Sequence, residues 1–120
     1  MNTILVVDDI KAELDLLSQY LIKAGYKVVT ANDGKEALEK VIDNKPDAIL
    51  TDWIMPNMGG LDLCRQLKKK AETADIPVVA CTAKDRDLDK MWASKQGVKG
   101  YVVKPCSEEE VVTALQTAMA

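Results

Sequence analysis

A chain of 120 residues, 48% hydrophobic and 29% charged, has the balance of one compact domain rather than a disordered tail. Its net charge of −3 argues against the basic footprint of a nucleic-acid binder, and no apolar stretch approaches the roughly 20 residues a bilayer-crossing helix needs. Histidine is absent, which removes Ser-His-Asp catalysis and any phosphohistidine carrier role and argues against a zinc site.

The pattern alternates β and α five times. The first run, Thr3–Val7, is short and β-branched, and Asp8, Asp9 and Lys11 interrupt it too early for a signal peptide. Ile10, Leu14, Leu17 and Leu21 then recur at helical spacing, with Lys11, Glu13, Asp15 and Lys23 on the solvent side, until Ala24-Gly25 supplies a stop. A second strand is expected at Lys27–Ala31, followed by a helix on Ala37, Leu38 and Val41 that ends before Pro46. The third strand, Ala48–Thr51, leads through Asp52 and Gly59-Gly60 (a pair suited to a tight loop) into a helix anchored by Leu63 and Leu67. Lys68-Lys69-Lys70 at the end of that helix complements its dipole. A fourth strand at Pro77–Cys81 precedes a shorter helix with a stripe of Leu88, Met91 and Trp92, of which Met91 and Trp92 read as core, closed by Gly97. The fifth strand is Gly100–Val103, and Ser107 with Glu110 forms a capping box for a last helix through Ala118. Cys64, Cys81 and Cys106 are odd in number and without a C-x-x-C pair, which reads as reduced thiols in a cytosol, with Cys64 and Cys81 inside.

Strands buried on both faces and joined by helices imply a doubly wound parallel sheet, whose ligands sit beyond the carboxyl ends of the strands. Asp8, Asp9, Asp52, Thr82 and Lys104 all fall at such ends. Singly each has an ordinary reading: capping acids, a loop acid, a strand threonine, a solvated lysine. Together they form a cluster. Three gathered carboxylates repel one another unless a cation neutralises them, and all-oxygen ligation with room for water suits Mg²⁺. Asp8, Asp9 and one oxygen of Asp52 would bind the ion. The other Asp52 oxygen would attack a phosphoryl group to give an acyl phosphate, with the metal and Lys104 offsetting the charge on the transferring oxygens.

Four segments carry a family resemblance over the whole length: Val6-Val7-Asp8-Asp9, Leu50-Thr51-Asp52-Trp53-Ile54-Met55-Pro56-Asn57-Met58-Gly59-Gly60, Cys81-Thr82-Ala83 and Gly100-Tyr101-Val102-Val103-Lys104-Pro105. The chain resembles the receiver domains of two-component response regulators, in particular the single-domain chemotaxis type. The resemblance implies a flavodoxin-like, three-layer α/β/α fold with five helices and strand order 2-1-3-4-5, of which the chemotaxis regulator is a standing example. It implies that Asp52 is the phosphoacceptor, that Asp8 and Asp9 form the Mg²⁺ pocket, and that the Ile54 backbone carbonyl is a further metal ligand. Thr82 would hydrogen-bond the phosphoryl oxygens, Lys104 would pair with them, and Tyr101 would be the switch aromatic that turns inward when Thr82 moves. The Lys104-Pro105 peptide would be cis. Trp53 reads as a packing residue beside the site. Ile54 and Lys84, two beyond Asp52 and Thr82, flank the path of a hydrolytic water, and an apolar Ile54 implies slow hydrolysis.

The expected behaviour is a two-state switch in residues 1–120: phosphorylation repacks the face of the fourth expected helix, strand five and the last helix. The donor would be a sensor histidine kinase or histidine phosphotransfer protein. With no output domain after Ala120, a separate protein would read the altered face, in chemotaxis, phototaxis or pilus motility, in the cytoplasm. Three rivals fit less well. An aspartyl phosphatase places a second acid where Ile54 stands, a flavodoxin-like electron carrier needs a phosphate loop where Asp8-Asp9 stand, and receiver-shaped modules that are never phosphorylated tend to lose one of the residues retained here.

Overall fold

Aliphatic runs too short to be helices and too apolar to face water find their only stable place between two helical layers. The computed structural model describes residues 2–53, 55, 57–83 and 86–120. In it β1 (Thr3–Val7), β2 (Lys27–Ala31), β3 (Ala48–Thr51), β4 (Val78–Thr82) and β5 (Gly100–Val103) form one parallel sheet in the order β2-β1-β3-β4-β5. The helices are α1 (Lys11–Lys23), α2 (Gly34–Asn44), α3 (Gly60–Lys68), α4 (Ala71–Ala74), α5 (Asp87–Lys95) and α6 (Glu108–Met119). The expected flavodoxin-like architecture is therefore the observed one, with a single turn, α4, that four residues are too few to announce by periodicity.

Alternation along each strand divides the core in two. Ile4, Val6, Leu50, Val79, Cys81 and Val102 point toward α1 and α6, where Leu14, Leu17, Leu21, Val111 and Leu115 meet them. Leu5, Val7, Ile49 and Val78 point the other way, onto Ala37 and Val41 of α2 and Leu63, Cys64 and Leu67 of α3. Each fully buried aliphatic side chain contributes roughly 1.5–3 kcal/mol of transfer free energy. Since there is no Phe, many modest contributions replace a few large ones.

Four strands have the expected bounds; β4 is displaced by one residue. Pro77 has no N–H to give the ladder, though its carbonyl accepts from Ile49 at 2.9 Å. At the other end the Thr82 carbonyl accepts the Lys104 N–H at 2.9 Å, which draws Thr82 into the strand opposite Val103. The stops act as expected: Gly25 and Gly97 have φ of 97° and 90°, a left-handed conformation that strains any residue with a Cβ. The capping box is complete, Ser107 Oγ accepting from the Glu110 N–H and Glu110 Oε1 from the Ser107 N–H, both at 3.1 Å.

Two core expectations need correction. Ile10 precedes the first turn of α1 and is exposed, since its extended backbone aims it off the helix face. Leu88, Met91 and Trp92 are 55%, 53% and 57% exposed, and only Ala93 of α5 is buried. This helix lies at the edge of the sheet, where β5 has no neighbour beyond it among the described residues. There is too little sheet for a full apolar stripe, and the small Ala93 makes the close approach instead.

Candidate functional site

The carboxyl ends of β1, β3, β4 and β5 lie side by side, and the ladder itself fixes the residues that follow them. Asp8 continues β1 by donating its N–H to the Ala31 carbonyl at 3.2 Å, and Asp52 continues β3 by donating to Val7 at 2.9 Å. Asp8 is fully buried. Its Oδ1 accepts the Ile10 N–H at 3.0 Å, so the ordinary capping role holds alongside any other, while Oδ2 accepts from Lys104 Nζ at 2.6 Å. Asp52 Oδ1 accepts the Trp53 N–H at 2.7 Å, and Oδ2 lies 3.3 Å from Lys104 Nζ. The structure thus brings Asp8, Asp52 and Lys104 together, with Asp9 beside them at the solvent edge. Thr82 is buried at the end of β4, on the strand that pairs with the residue before Lys104.

One participant was missed by sequence reasoning. Glu13, assigned to the solvent side of α1, holds Lys104 Nζ at 3.1 Å through Oε2. Its place in the first turn of the helix that Asp8-Asp9 lead into was the available signal. Burial by itself pulls the Lys104 pKa down, but the Asp8 hydrogen bond, the charges of Asp52 and Asp8, and the Glu13 hydrogen bond outweigh it and hold the ammonium above its ordinary value. Three carboxylates meet one ammonium, and Asp9 adds a fourth acidic group at the edge of the site.

Carboxylate oxygens of Asp8, Asp9 and Asp52 all lie within 4.8 Å of one another. Adjacent oxygens around an octahedral ion with bonds of about 2.1 Å are about 3.0 Å apart and opposite ones about 4.2 Å, so a closing of at most about 2 Å would bring the three to ligating distance. The donors are oxygens only, and the exposed Asp9 leaves an open side for water. The set fits Mg²⁺ in chemistry and spacing. Ile54, the expected further ligand, and Lys84 lie outside the described residues.

The loop beyond Asp52 is held at its far end. Asn57, with φ of 67°, donates from Nδ2 to Asp33 Oδ2 at 3.0 Å, and the Gly34 N–H donates to the Met58 carbonyl at 2.9 Å. A Cβ at Gly34 would come within 2.6 Å of that same carbonyl, and one at Gly60 within 2.7 Å of the Asp52 carbonyl. Glycine at these two positions therefore serves close approach of backbones. Trp53 packs against the α2–α3 layer, as expected of it. The Lys104-Pro105 peptide is cis, as the resemblance implied.

Tyr101 is half-buried on β5 opposite Ala80, and the two-residue alternation of strands puts it on the same face of the sheet as Thr82. It borders an open groove of about 550 Å³ with Lys90, Val103, Glu109, Glu110 and Thr113.

An acid pair after the first strand, an acid after the third and a lysine after the fifth, on a sheet of this order, define a phosphoacceptor module. Residues 4–116 match the response regulator receiver domain, and the chain belongs to that family. Members are regulatory phosphoacceptors rather than enzymes in the usual sense, and they work with histidine kinases. Over all 120 residues the chain is 38% identical to Protein PilH of Pseudomonas aeruginosa, covering 99% of it. It is 36% identical to the phosphate regulon transcriptional regulatory protein PhoB of the same species, but spans only 52% of that protein. Among solved structures, the chemotaxis protein CheY4 of Vibrio cholerae superposes with a TM-score of 0.92 at 31% identity, with 98% of each chain covered.

Proposed function

We propose that this chain is a phosphorylation-driven signalling switch with Asp52 as its phosphoacceptor. The observation that carries the reading is the placement of Lys104 Nζ between Asp8 and Asp52, at 2.6 and 3.3 Å, with Asp9 within metal-ligating reach. A carboxylate oxygen of Asp52 attacks the phosphorus of a phosphohistidine on a sensor histidine kinase or histidine phosphotransfer protein. The P–N bond breaks, the imidazole nitrogen leaves, and an acyl phosphate remains on Asp52. Asp8, Asp9 and Asp52 would hold Mg²⁺, with the Ile54 carbonyl as the further ligand the family resemblance implies, and the bound ion would supply positive charge against the phosphoryl oxygens. Lys104, already oriented by Asp8 and Glu13, supplies further positive charge. The Thr82 hydroxyl hydrogen-bonds the phosphoryl group, and its movement opens space for Tyr101.

The signal is read on the face formed by α5, β5 and α6, by a downstream partner. Two features support that assignment: the Tyr101 groove, bordered by Lys90 of α5 and by Glu109, Glu110 and Thr113 of α6, and the exposed Leu88, Met91 and Trp92 elsewhere on α5. Residues 1–120 act as the receiver unit, in the cytoplasm. Likeness to a chemotaxis protein over nearly the whole of both chains favours motility signalling, with chemotaxis, phototaxis and pilus motility as the candidate processes.

Trp53 adjoins the acceptor and reports both steps. Its fluorescence is expected to change on adding Mg²⁺ and again on adding a small-molecule phosphodonor, with the second change lost in Asp52→Asn. A second change that persists in that variant rejects Asp52 as the acceptor.

A further inference from the structure

Two thiols meet one residue away from the site, on the other face of the sheet. Cys81 precedes Thr82 on β4 and is buried in the layer beneath α1 and α6, while Cys106 follows Lys104-Pro105 and is half-buried. Register sets Cys81 beside Val102, and the chain leaving β5 turns back over it, so that the two Sγ atoms lie 4.0 Å apart. The Tyr20 hydroxyl of α1 donates to the Cys106 carbonyl at 3.3 Å, which holds that turn over β4. The phosphoryl chemistry uses neither thiol. Cys64, the third cysteine, lies in the opposite layer.

We propose that Cys81 and Cys106 form a redox modification site. They close to an intramolecular disulfide by exchange with a low-molecular-weight disulfide of the glutathione class, and the bond restrains the segments that carry Thr82 and Lys104. The half-buried Cys106 reacts first: its thiolate attacks one sulfur of the small disulfide, whose S–S bond breaks, and the thiolate that leaves takes up a proton. Cys81 then loses its proton and attacks Cys106 Sγ, the protein disulfide forms, and the second small thiol departs protonated. Two protein thiols and one small disulfide become one protein disulfide and two small thiols. The sulfurs must approach by about 2 Å to reach bonding distance, which a change of side-chain torsion at the half-buried Cys106 can supply.

Burial raises the pKa of both thiols, and for Cys106 the Cys81 hydrogen bond and the Lys104 charge act against that rise. Both steps need a thiolate that is scarce at neutral pH, so closure is slow, but the second step is helped by being intramolecular between groups already in contact. Once closed, the bond joins the residue before Thr82 to a residue two beyond Lys104. Rearrangement of Thr82 about a phosphoryl group would then have to move both strands at once. This regulatory half rests on the phosphoacceptor reading; the disulfide itself does not.

Treating the folded 120-residue chain with oxidised glutathione and mapping its peptides tests both halves. The expected product has lost two hydrogens, about 2 Da, carries a Cys81–Cys106 cross-link, and returns to the starting mass with dithiothreitol. Cys64→Ala should still form it; Cys106→Ser and, separately, Cys81→Ala should not. A folded protein that stays reduced, or one that stops at a mixed disulfide on Cys106, overturns the proposal. The oxidised protein should take phosphate from a small-molecule donor about tenfold more slowly than the reduced one, with no such change in identically treated Cys106→Ser. An unchanged rate in the cross-linked protein overturns the regulatory half. If the reduced parent takes no phosphate at all, the phosphoacceptor reading fails and the cross-link is judged by mass alone.

Discussion

Lys104 carries three ion pairs on a side chain only 10% exposed, and one partner, Asp8, has no exposure at all. Removing one member of a buried pair leaves the other charged and unsolvated, at a cost of roughly 3–5 kcal/mol. Lys104→Met should therefore lower stability by about 3 kcal/mol in chelator, and added Mg²⁺ should recover part of that by supplying the lost positive charge. Urea unfolding with and without Mg²⁺ measures both; a variant as stable as the parent in chelator contradicts the buried-pair argument. Alkaline pH attacks the same region and the core together. The folded pKa of Lys104 lies above its ordinary 10.5, so the stability from its ion pairs is whole below that value and declines as pH climbs past it. Desolvation pushes the Cys64 thiol up to about 11 from 9.0, against the opposing Lys68 charge. Its contribution is complete below pH 9.0 and is lost as pH rises toward 11. Stability should fall across that window, with roughly 1 kcal/mol per pH unit due to Cys64. In Cys64→Ala the same unfolding series should show a shallower slope; an equal slope removes Cys64 as a cause.

At the scale of elements, α5 and α6 differ in what holds them. The capping box satisfies backbone groups of α6, and Val111 and Leu115 anchor it in the core. Ser107→Ala should cost about 1 kcal/mol, read as a lower thermal midpoint. Three large apolar side chains of α5 face water instead, so Trp92→Ser should change stability by no more than about 0.5 kcal/mol. Capture of the output partner by the phosphorylated protein should weaken markedly in the same variant. A large loss of stability there would mean that Trp92 is core after all. These helices also mark how far the sequence could be read. Ser107 and Glu110 announce a cap because the interaction spans three residues. The Leu88, Met91 and Trp92 stripe is genuine at helical spacing, yet spacing does not say how much sheet lies beneath a helix, and here the edge strand offers little. The displacement of β4 by one residue is of the same kind, since it depends on a bond from Lys104, distant in sequence.

For the molecule as a whole, the legible part was whatever the parallel sheet fixes. Short apolar runs give the strands, strand ends share an edge, and so Asp8, Asp9, Asp52 and Lys104 could be brought to one place before any coordinates. What stayed hidden were side chains that meet because layers pack: Glu13 reaching Lys104 from α1, and Cys81 touching Cys106 beneath α1 and α6. No periodicity encodes such meetings, because each depends on how a helix is rotated and where a loop turns. The bonds from Asn57 and Met58 to the start of α2 have a mechanical corollary. They moor the downstream half of the acceptor loop to a helix on the far flank of the sheet, away from β4 and β5. Under the proposed function, a displacement set off at Asp52 would meet that mooring on one side and find none of these bonds on the other. The signal would then leave the centre of the molecule toward β4 and β5.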